Sequence, residues 1–328
     1  MRHVPLTLDL IEDAAARLRG QSVVTPLLSH GGLDRLVGGR VFLKAENLQH
    51  IGAFKFRGAY TALSRFDEDT RAKGVVAWSS GNHAQGVAMA ARAFGVPATI
   101  VMPHDAPAAK RERTIALGAH VVGYDRASED RQAFAMAISQ EGGQARIAPY
   151  DDIDVMSGQG TVGLEIVEQL RAAGEVADQV LVPCGGGGLT AGLSTAVKAL
   201  SAESRIVTVE PQGFDDTRRS LAAGARCENP STTGSICDAL LAPKPGELTF
   251  EVNRKNVCEG VAVSDAEVAH AMRFAFHELK LVVEPGGAIA LAALLNGSVQ
   301  TKGQTSVAVL SGGNADAALF ADVLAGKV

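Results

Sequence analysis

Val180-Leu181-Val182-Pro183-Cys184-Gly185-Gly186-Gly187-Gly188-Leu189-Thr190 reads as an apolar strand, a four-glycine turn and the start of a helix. Without side chains on Gly185, Gly186, Gly187 and Gly188, the backbone N–H groups can converge on one point. The helix N-terminus adds positive potential there, and the pair suits a phosphate. No Gly-Lys-Ser/Thr follows, so this is not a P-loop, and it is not the Gly-x-Gly-x-x-Gly dinucleotide turn near a first strand. A tight strand-to-helix turn is the plainer reading, yet four consecutive glycines are more than a turn needs.

The same alternation extends on both sides. Upstream, strands at Val75–Trp78, Ala98–Met102 and His120–Gly123 alternate with helices at Ala84–Phe94, Ala106–Leu117 and Ser128–Gln140. Downstream, Arg205–Val209, Val257–Val263 and Ser306–Leu310 read as strands, with helices at Asp215–Ala223, Asp265–Leu279, Gly286–Leu295 and Ala315–Leu324. Repeated strand–helix units predict parallel sheets covered by helices. Thr25–Leu28 reads as an extended turn, Gly58–Phe66 as a helix, and Cys227–Asn256 as a long loop with short helices. The expected division is a small mobile domain over 71–145 and a large domain over 1–70 and 146–328.

Composition excludes several classes. The chain has 328 residues, 46% hydrophobic and 20% charged, enough for two domains around one cleft. Its net charge of −5 gives no basic footprint for nucleic acid. Mean hydropathy is +0.10, and no apolar run approaches the roughly 18 residues of a membrane span. The N-terminus opens no signal-peptide core. Cys184, Cys227, Cys237 and Cys258 have neither Cys-x-x-Cys nor zinc spacing, so free thiols in a reducing cytoplasm are expected.

Three further stretches carry chemistry. In Gly52-Ala53-Phe54-Lys55-Phe56-Arg57-Gly58 one lysine stands between two aromatic rings. Desolvation there favours the free amine, which a Schiff base with an aldehyde requires, and the rings offer a wall to a flat cofactor. A lysine snorkelling beside core phenylalanines would look the same. Ser79-Ser80-Gly81-Asn82-His83 follows a strand and opens a helix, which suits either a bound carboxylate or a simple helix cap. Ser311-Gly312-Gly313-Asn314 ends the last buried strand, where α/β ligands bind.

In this order, across roughly residues 5 to 320, the four stretches resemble the pyridoxal-phosphate enzymes of the serine/threonine dehydratase and serine racemase family. The resemblance implies a type II pyridoxal-phosphate fold, similar to tryptophan synthase β, with two α/β domains and pyridoxal 5'-phosphate between them. It implies that Lys55 is the Schiff-base lysine and that Phe54 lies against the ring. Asn82 would bond the ring hydroxyl, Gly185 to Gly188 the phosphate, and Ser311 the pyridine nitrogen. Ser79, Asn82 and His83 would hold the substrate carboxylate, and Ser80 would serve the face of Cα opposite the lysine. The resemblance further implies a homodimer acting on a small amino acid.

Glu210-Pro211-Gln212-Gly213-Phe214-Asp215-Asp216 resembles the family's divalent-cation loop. Glu210, the Phe214 carbonyl and Asp216 would offer oxygen ligands to Mg²⁺, Ca²⁺ or Mn²⁺. An acidic helix start is the alternative. The chain departs from the pattern at Cys237-Asp238-Ala239, at Glu284-Pro285-Gly286-Gly287 and at Tyr150.

The implied reaction is an ammonia-lyase dehydration of L-threonine or L-serine to 2-oxobutanoate or pyruvate. A 3-hydroxyaspartate ammonia-lyase is the alternative, and it needs a cation facing Cβ, from His83 or from Arg131. A serine or aspartate racemase would use the same residues with Ser80 as second acid/base. A β-replacement enzyme usually has Thr where His83 stands. A sensor without turnover would not need an intact Lys55.

Overall fold

The computed structural model describes residues 5–125 and 128–328. Its strands are β1 (Leu27–Ser29), β2 (Arg40–Lys44), β3 (Val75–Trp78), β4 (Ala98–Pro103), β5 (His120–Tyr124), β6 (Ala145–Arg146), β7 (Gln179–Pro183), β8 (Arg205–Pro211), β9 (Glu259–Val263) and β10 (Thr305–Val309). They form a six-stranded sheet in the order β1-β2-β10-β7-β8-β9 and a four-stranded sheet in the order β5-β4-β3-β6. Every pairing is parallel except β1 with β2. The expected α/β architecture of two parallel-type sheets is what the chain forms.

Parallel strands need crossover connections and are covered on both faces, which is why they read as apolar runs. β3, β4 and β7 are buried at every position. Helix Pro285–Leu295 is buried along nearly its whole length and packs with Leu181, Val207, Val209 and Val263 in the core of the large sheet. Val75, Ala77, Ile100 and Met102 of the small sheet share a second core with Phe56, Tyr60 and Leu63. Helix Lys55–Arg65, threaded before the small sheet, therefore belongs to that second core.

Several local readings differ from the structure. Helix Lys55–Arg65 begins at the lysine itself, three residues before the expected start. Thr25–Leu28 leads into β1, since Leu27–Ser29 pairs with Phe42–Lys44. The stretch after Cys227, read as a long loop with short helices, ends in a helix of ten residues, Glu247–Asn256. Asp151 caps that helix, accepting from the amides of Glu247, Leu248 and Thr249. A partner 96 residues away in sequence leaves no local signature. The helix read over Asp265–Leu279 is α-helical to Phe274 and then widens into a π turn over Ala275–Leu279.

Both sheets send their carboxyl ends towards one cleft. β3 leads into Ser79, β7 into the four glycines and β10 into Ser311, the position at which open parallel sheets bind ligands.

Candidate active site

A cavity of about 340 Å³ lies between the two sheets. Phe54, Lys55, Ser79, Ser80, Asn82, His83, Arg131, Gly185, Gly186, Gly187, Gly188 and Ser311 all line it, joined by Tyr150, Glu284 and Asn314. Glu210, Phe214 and Asp216 lie away from it.

Lys55 is the first residue of its helix, after Phe54 as N-cap. Its Nζ donates to the Pro149 carbonyl at 2.5 Å and lies 5.1 Å from the centroid of the Phe54 ring. Burial without a carboxylate partner brings the amine down to about 8, for the desolvation reason expected. Phe56 does not share the cleft. It is buried in the core, edge-on to His50 and tilted against Tyr60, so Phe54 is the one flanking ring that reaches the cavity.

The helix is anchored by a charge network that sequence reading missed. Arg57, fully buried, donates Nε and Nη2 to Glu46 at 2.8 Å each and Nη1 and Nη2 to Glu165 at 2.6 and 2.9 Å. Lys44 Nζ, equally buried, reaches Glu165 at 2.6 Å. Two cations face two carboxylates, the condition under which buried charges persist.

The four glycines form a cradle. Gly187 adopts φ +91°, and a Cβ on Gly186 would lie 2.4 Å from the Tyr150 ring. Their carbonyls are occupied from behind: Gly186 O accepts from Thr249 Oγ1 at 2.7 Å and Gly187 O from Asn253 Nδ2 at 3.2 Å. Among the described residues the amides of Gly185, Gly186 and Gly187 donate to no protein group. Unpaired amides at a helix start, bordering a cavity, fit a phosphate.

On the other sheet, Ser79 Oγ accepts from Gly81 N at 3.1 Å. Asn82 Nδ2 donates to Glu284 Oε1 at 2.6 Å, and Asn82 Oδ1 accepts from Asn314 Nδ2 at 2.8 Å. Ser311, 5% exposed, has its Oγ 3.5 Å from the Gly286 carbonyl. His83 is buried, with Nε2 3.0 Å from the Ile147 carbonyl. Burial, with Lys55 nearby, lowers it to about 3, so its ring is neutral. Ile147 O can only accept, so Nε2 carries the proton and Nδ1 is a bare acceptor. The expectation that His83 supplies a cation towards Cβ is therefore corrected. Arg131 begins helix Arg131–Gly142 and is exposed. Arg113 lines the same mouth. Neither forms an ion pair among the described residues, whereas Lys110 there pairs with Asp238 at 2.6 Å.

A match to the model for "pyridoxal-phosphate dependent enzyme" spans residues 19–312. The chain belongs to that family. It is 45% identical to an L-threo-3-hydroxyaspartate ammonia-lyase of Pseudomonas sp. over 95% of this chain and 97% of that one. It is 41% identical to an L-threonine ammonia-lyase of Thermotoga maritima over 95% of this chain and 76% of that one. The solved structure of maize serine racemase superposes with a TM-score of 0.92 at 37% identity, covering 99% of this chain and 98% of that one. Pyridoxal phosphate is the cofactor of this family, and the glycine cradle, the free Lys55 amine and the cavity between them fit it. The carbon–nitrogen lyase reading is supported by the ammonia-lyases among these relatives. No helix among the described residues is long and apolar enough to cross a membrane.

Sequence reading did not find Glu284 and Asn314 as partners of Asn82, or Thr249 and Asn253 behind the glycine loop. These contacts join residues 63 to 232 positions apart, and only the fold brings them together.

Proposed function

We propose that this enzyme removes water and ammonia from a β-hydroxy amino acid, with 3-hydroxyaspartate preferred. The observation that carries the reading is the Lys55 amine opening onto one cavity with the glycine amides and two arginines, the lysine without a carboxylate partner, the amides unpaired and the arginines without an ion pair among the described residues. When bound, pyridoxal phosphate supplies an aldehyde for the substrate amine and a conjugated ring that accepts the electron pair left at Cα. Gly185 to Gly188 bind its phosphate through backbone amides, Phe54 packs against the ring and Ser311 meets the pyridine nitrogen. Asn82 donates to the ring oxygen. Ser79 and the backbone amides of Asn82 and His83 receive the substrate α-carboxylate at the start of helix Asn82–Phe94, where the helix dipole favours an anion. Neutral His83, whose one ring N–H is given to Ile147, contributes shape and its backbone amide there rather than charge.

Lys55 Nζ takes the proton from Cα. The β-hydroxyl takes up that proton from the Lys55 ammonium and leaves as water, and the freed enamine takes up water to give the 2-oxo acid and ammonia. Arg131 meets the second carboxylate of hydroxyaspartate, since a carboxylate left unpaired in a closed cleft costs several kcal/mol. L-Threonine and L-serine are the second reading, favoured by the apolar surface that Tyr150, Ala239 and Leu240 add to the cavity lining. Product analysis by 2-oxo acid release from these three amino acids tests the reading. Absence of ammonia release from all three overturns it.

Ser80 delivers or removes the proton on the opposite face of Cα. Residues 71–145 act as the small mobile domain and 1–70 with 146–328 as the large one. Glu210, the Phe214 carbonyl and Asp216 hold Mg²⁺, Ca²⁺ or Mn²⁺. The support is that Glu210 and Asp216 are buried, repel each other's charge, and leave Asp216 Oδ2 without a protein partner. A homodimer would cover Val24 and Leu48, which stand 68% and 47% exposed. The four cysteines are unpaired thiols, in keeping with the cytoplasm.

A further inference from the structure

Asn82 is held by residues from outside its own sheet. It starts the helix that follows β3, whereas Glu284 precedes helix Pro285–Leu295 and Asn314 follows β10. The polarity of the network is set by its two ends. The Ile51 carbonyl can only accept, so Asn314 presents Nδ2 to it at 2.7 Å and, with its second N–H, to Asn82 Oδ1 at 2.8 Å. At the other end Glu284 Oε1 accepts from Asn82 Nδ2 at 2.6 Å. Asn82 is left with one N–H uncommitted.

The surroundings are shaped for this chain of bonds. Ile51, β-branched, adopts φ +59°, a conformation such residues rarely hold. A Cβ on Gly312 would lie 2.1 Å from Glu284 Oε1, so glycine is required for the carboxyl to reach Asn82. Glu284 occupies the N-cap of its helix without capping it through its side chain. A buried carboxyl placed at a helix start and turned instead onto one amide is committed to that amide.

We propose that Glu284 and Asn314 are positioning residues that clamp the Asn82 amide, directing its remaining N–H to the cofactor ring oxygen and tying the four-stranded sheet to the six-stranded one. This rests on the cofactor placement given above. Neither residue touches the reacting atoms. Each acts through Asn82.

A double-mutant cycle tests the clamp. Cofactor Kd is measured by fluorescence titration of apo-protein, together with the absorbance spectrum of the bound cofactor, for Glu284→Ala, Asn314→Ala, Asn82→Ala and the two double variants with Asn82→Ala. Each single clamp variant weakens cofactor binding about tenfold and shifts the spectrum. In the Asn82→Ala background the same changes alter Kd less than about twofold. Glu284→Gln, which keeps the size and an acceptor oxygen, recovers most of the affinity and secures the test if the alanine variant folds poorly. Equal losses in both backgrounds, or an unchanged spectrum in both clamp variants, overturn the proposal. Borohydride reduction separates the two levels. A wild type without cofactor on Lys55 refutes the placement and the clamp with it, while a normal Lys55 adduct with an additive cycle refutes the clamp alone.

Discussion

The Lys55 amine rests on the Pro149 carbonyl at 2.5 Å, joining the start of helix Lys55–Arg65 to the chain that leaves the small sheet. A carbonyl holds the amine in place without the charge that would keep it protonated. Burial therefore brings it down to about 8. The free amine is the nucleophile, so cofactor capture by apo-protein should accelerate as pH rises through about 8 and level off above it. Stopped-flow absorbance checks this, with borohydride reduction and peptide mapping to locate the cofactor on Lys55. Lys55→Ala should bind without covalent attachment and lose turnover.

Arg57 sits two residues further on, and its loss should be felt as instability. Burial alone would push Glu46 up, but the Arg57 guanidinium outweighs it and holds that carboxyl below the usual range. Arg57→Ala would leave Glu46 buried without its main partner and Glu165 with Lys44 alone. The expected cost is about 3–5 kcal/mol, read as a lower urea midpoint at unchanged m-value. Arg57→Lys should recover only part of it, because one ammonium cannot reproduce the bidentate contacts.

The Glu210–Asp216 pair gives a pH prediction with a definite sign. Burial raises Asp216 to about 7, with the nearby Asp215 charge adding to it against the Asn229 hydrogen bond, and raises Glu210 well above its usual value. Between about pH 4 and 7 the folded protein then binds more protons than the unfolded chain, so stability falls as pH rises. Without divalent cation, Tm should drop across that window. Mg²⁺ or Ca²⁺ should restore it at pH 8, above the titration of Asp216, and have little effect at pH 5. Asp216→Asn should flatten the pH slope and abolish the cation effect. A Tm in EDTA indifferent to both pH and cation removes the site.

The parts of this molecule legible in the sequence are those whose physics is local. Parallel strands such as β3 are apolar along their length, and four glycines in a row announce a backbone that must approach something. Asn82 and Ser311 follow from short motifs at strand ends, and Lys55 from the aromatic residues on either side of it. Phe56 was misplaced because alternation along a loop does not say which ring turns inward, and the helix beginning at Lys55 decides it. His83 was a candidate cation because the sequence does not show the burial that, with Lys55 nearby, keeps its ring neutral. The Arg57 network and the Asn82 clamp join distant segments, and no local pattern encodes either.

Ser80 tests the second face of Cα. It lines the cavity with Lys55 and a hydroxyl there can pass one proton. Ser80→Ala should abolish racemisation and turnover of D-isomers while elimination from the L-isomer survives at a reduced rate. Chiral chromatography and solvent deuterium incorporation at Cα measure the two. An equal loss from both isomers would show that Ser80 only binds the α-carboxylate.

Arg131 decides between substrates. His83 is neutral, with its ring lowered to about 3, and Lys110 is paired with Asp238, so among the described residues Arg113 and Arg131 are the guanidinium groups at the cavity without an ion pair. Arg131 begins a helix of the small sheet and would approach the ligand as the two halves close. A second carboxylate at Cβ would gain a charge-assisted contact that threonine's methyl cannot use. Arg131→Ala should therefore lower kcat/KM for 3-hydroxyaspartate by at least about tenfold, ~1.4 kcal/mol of transition-state binding, and alter that for threonine less than about twofold. Arg131→Lys should recover part of the loss, and Arg113→Ala should leave the ratio of the two substrates unchanged. If Arg131→Ala lowers both substrates equally, the arginine serves closure and not recognition. A wild type that prefers threonine or serine would instead assign this enzyme to the smaller β-hydroxy amino acids.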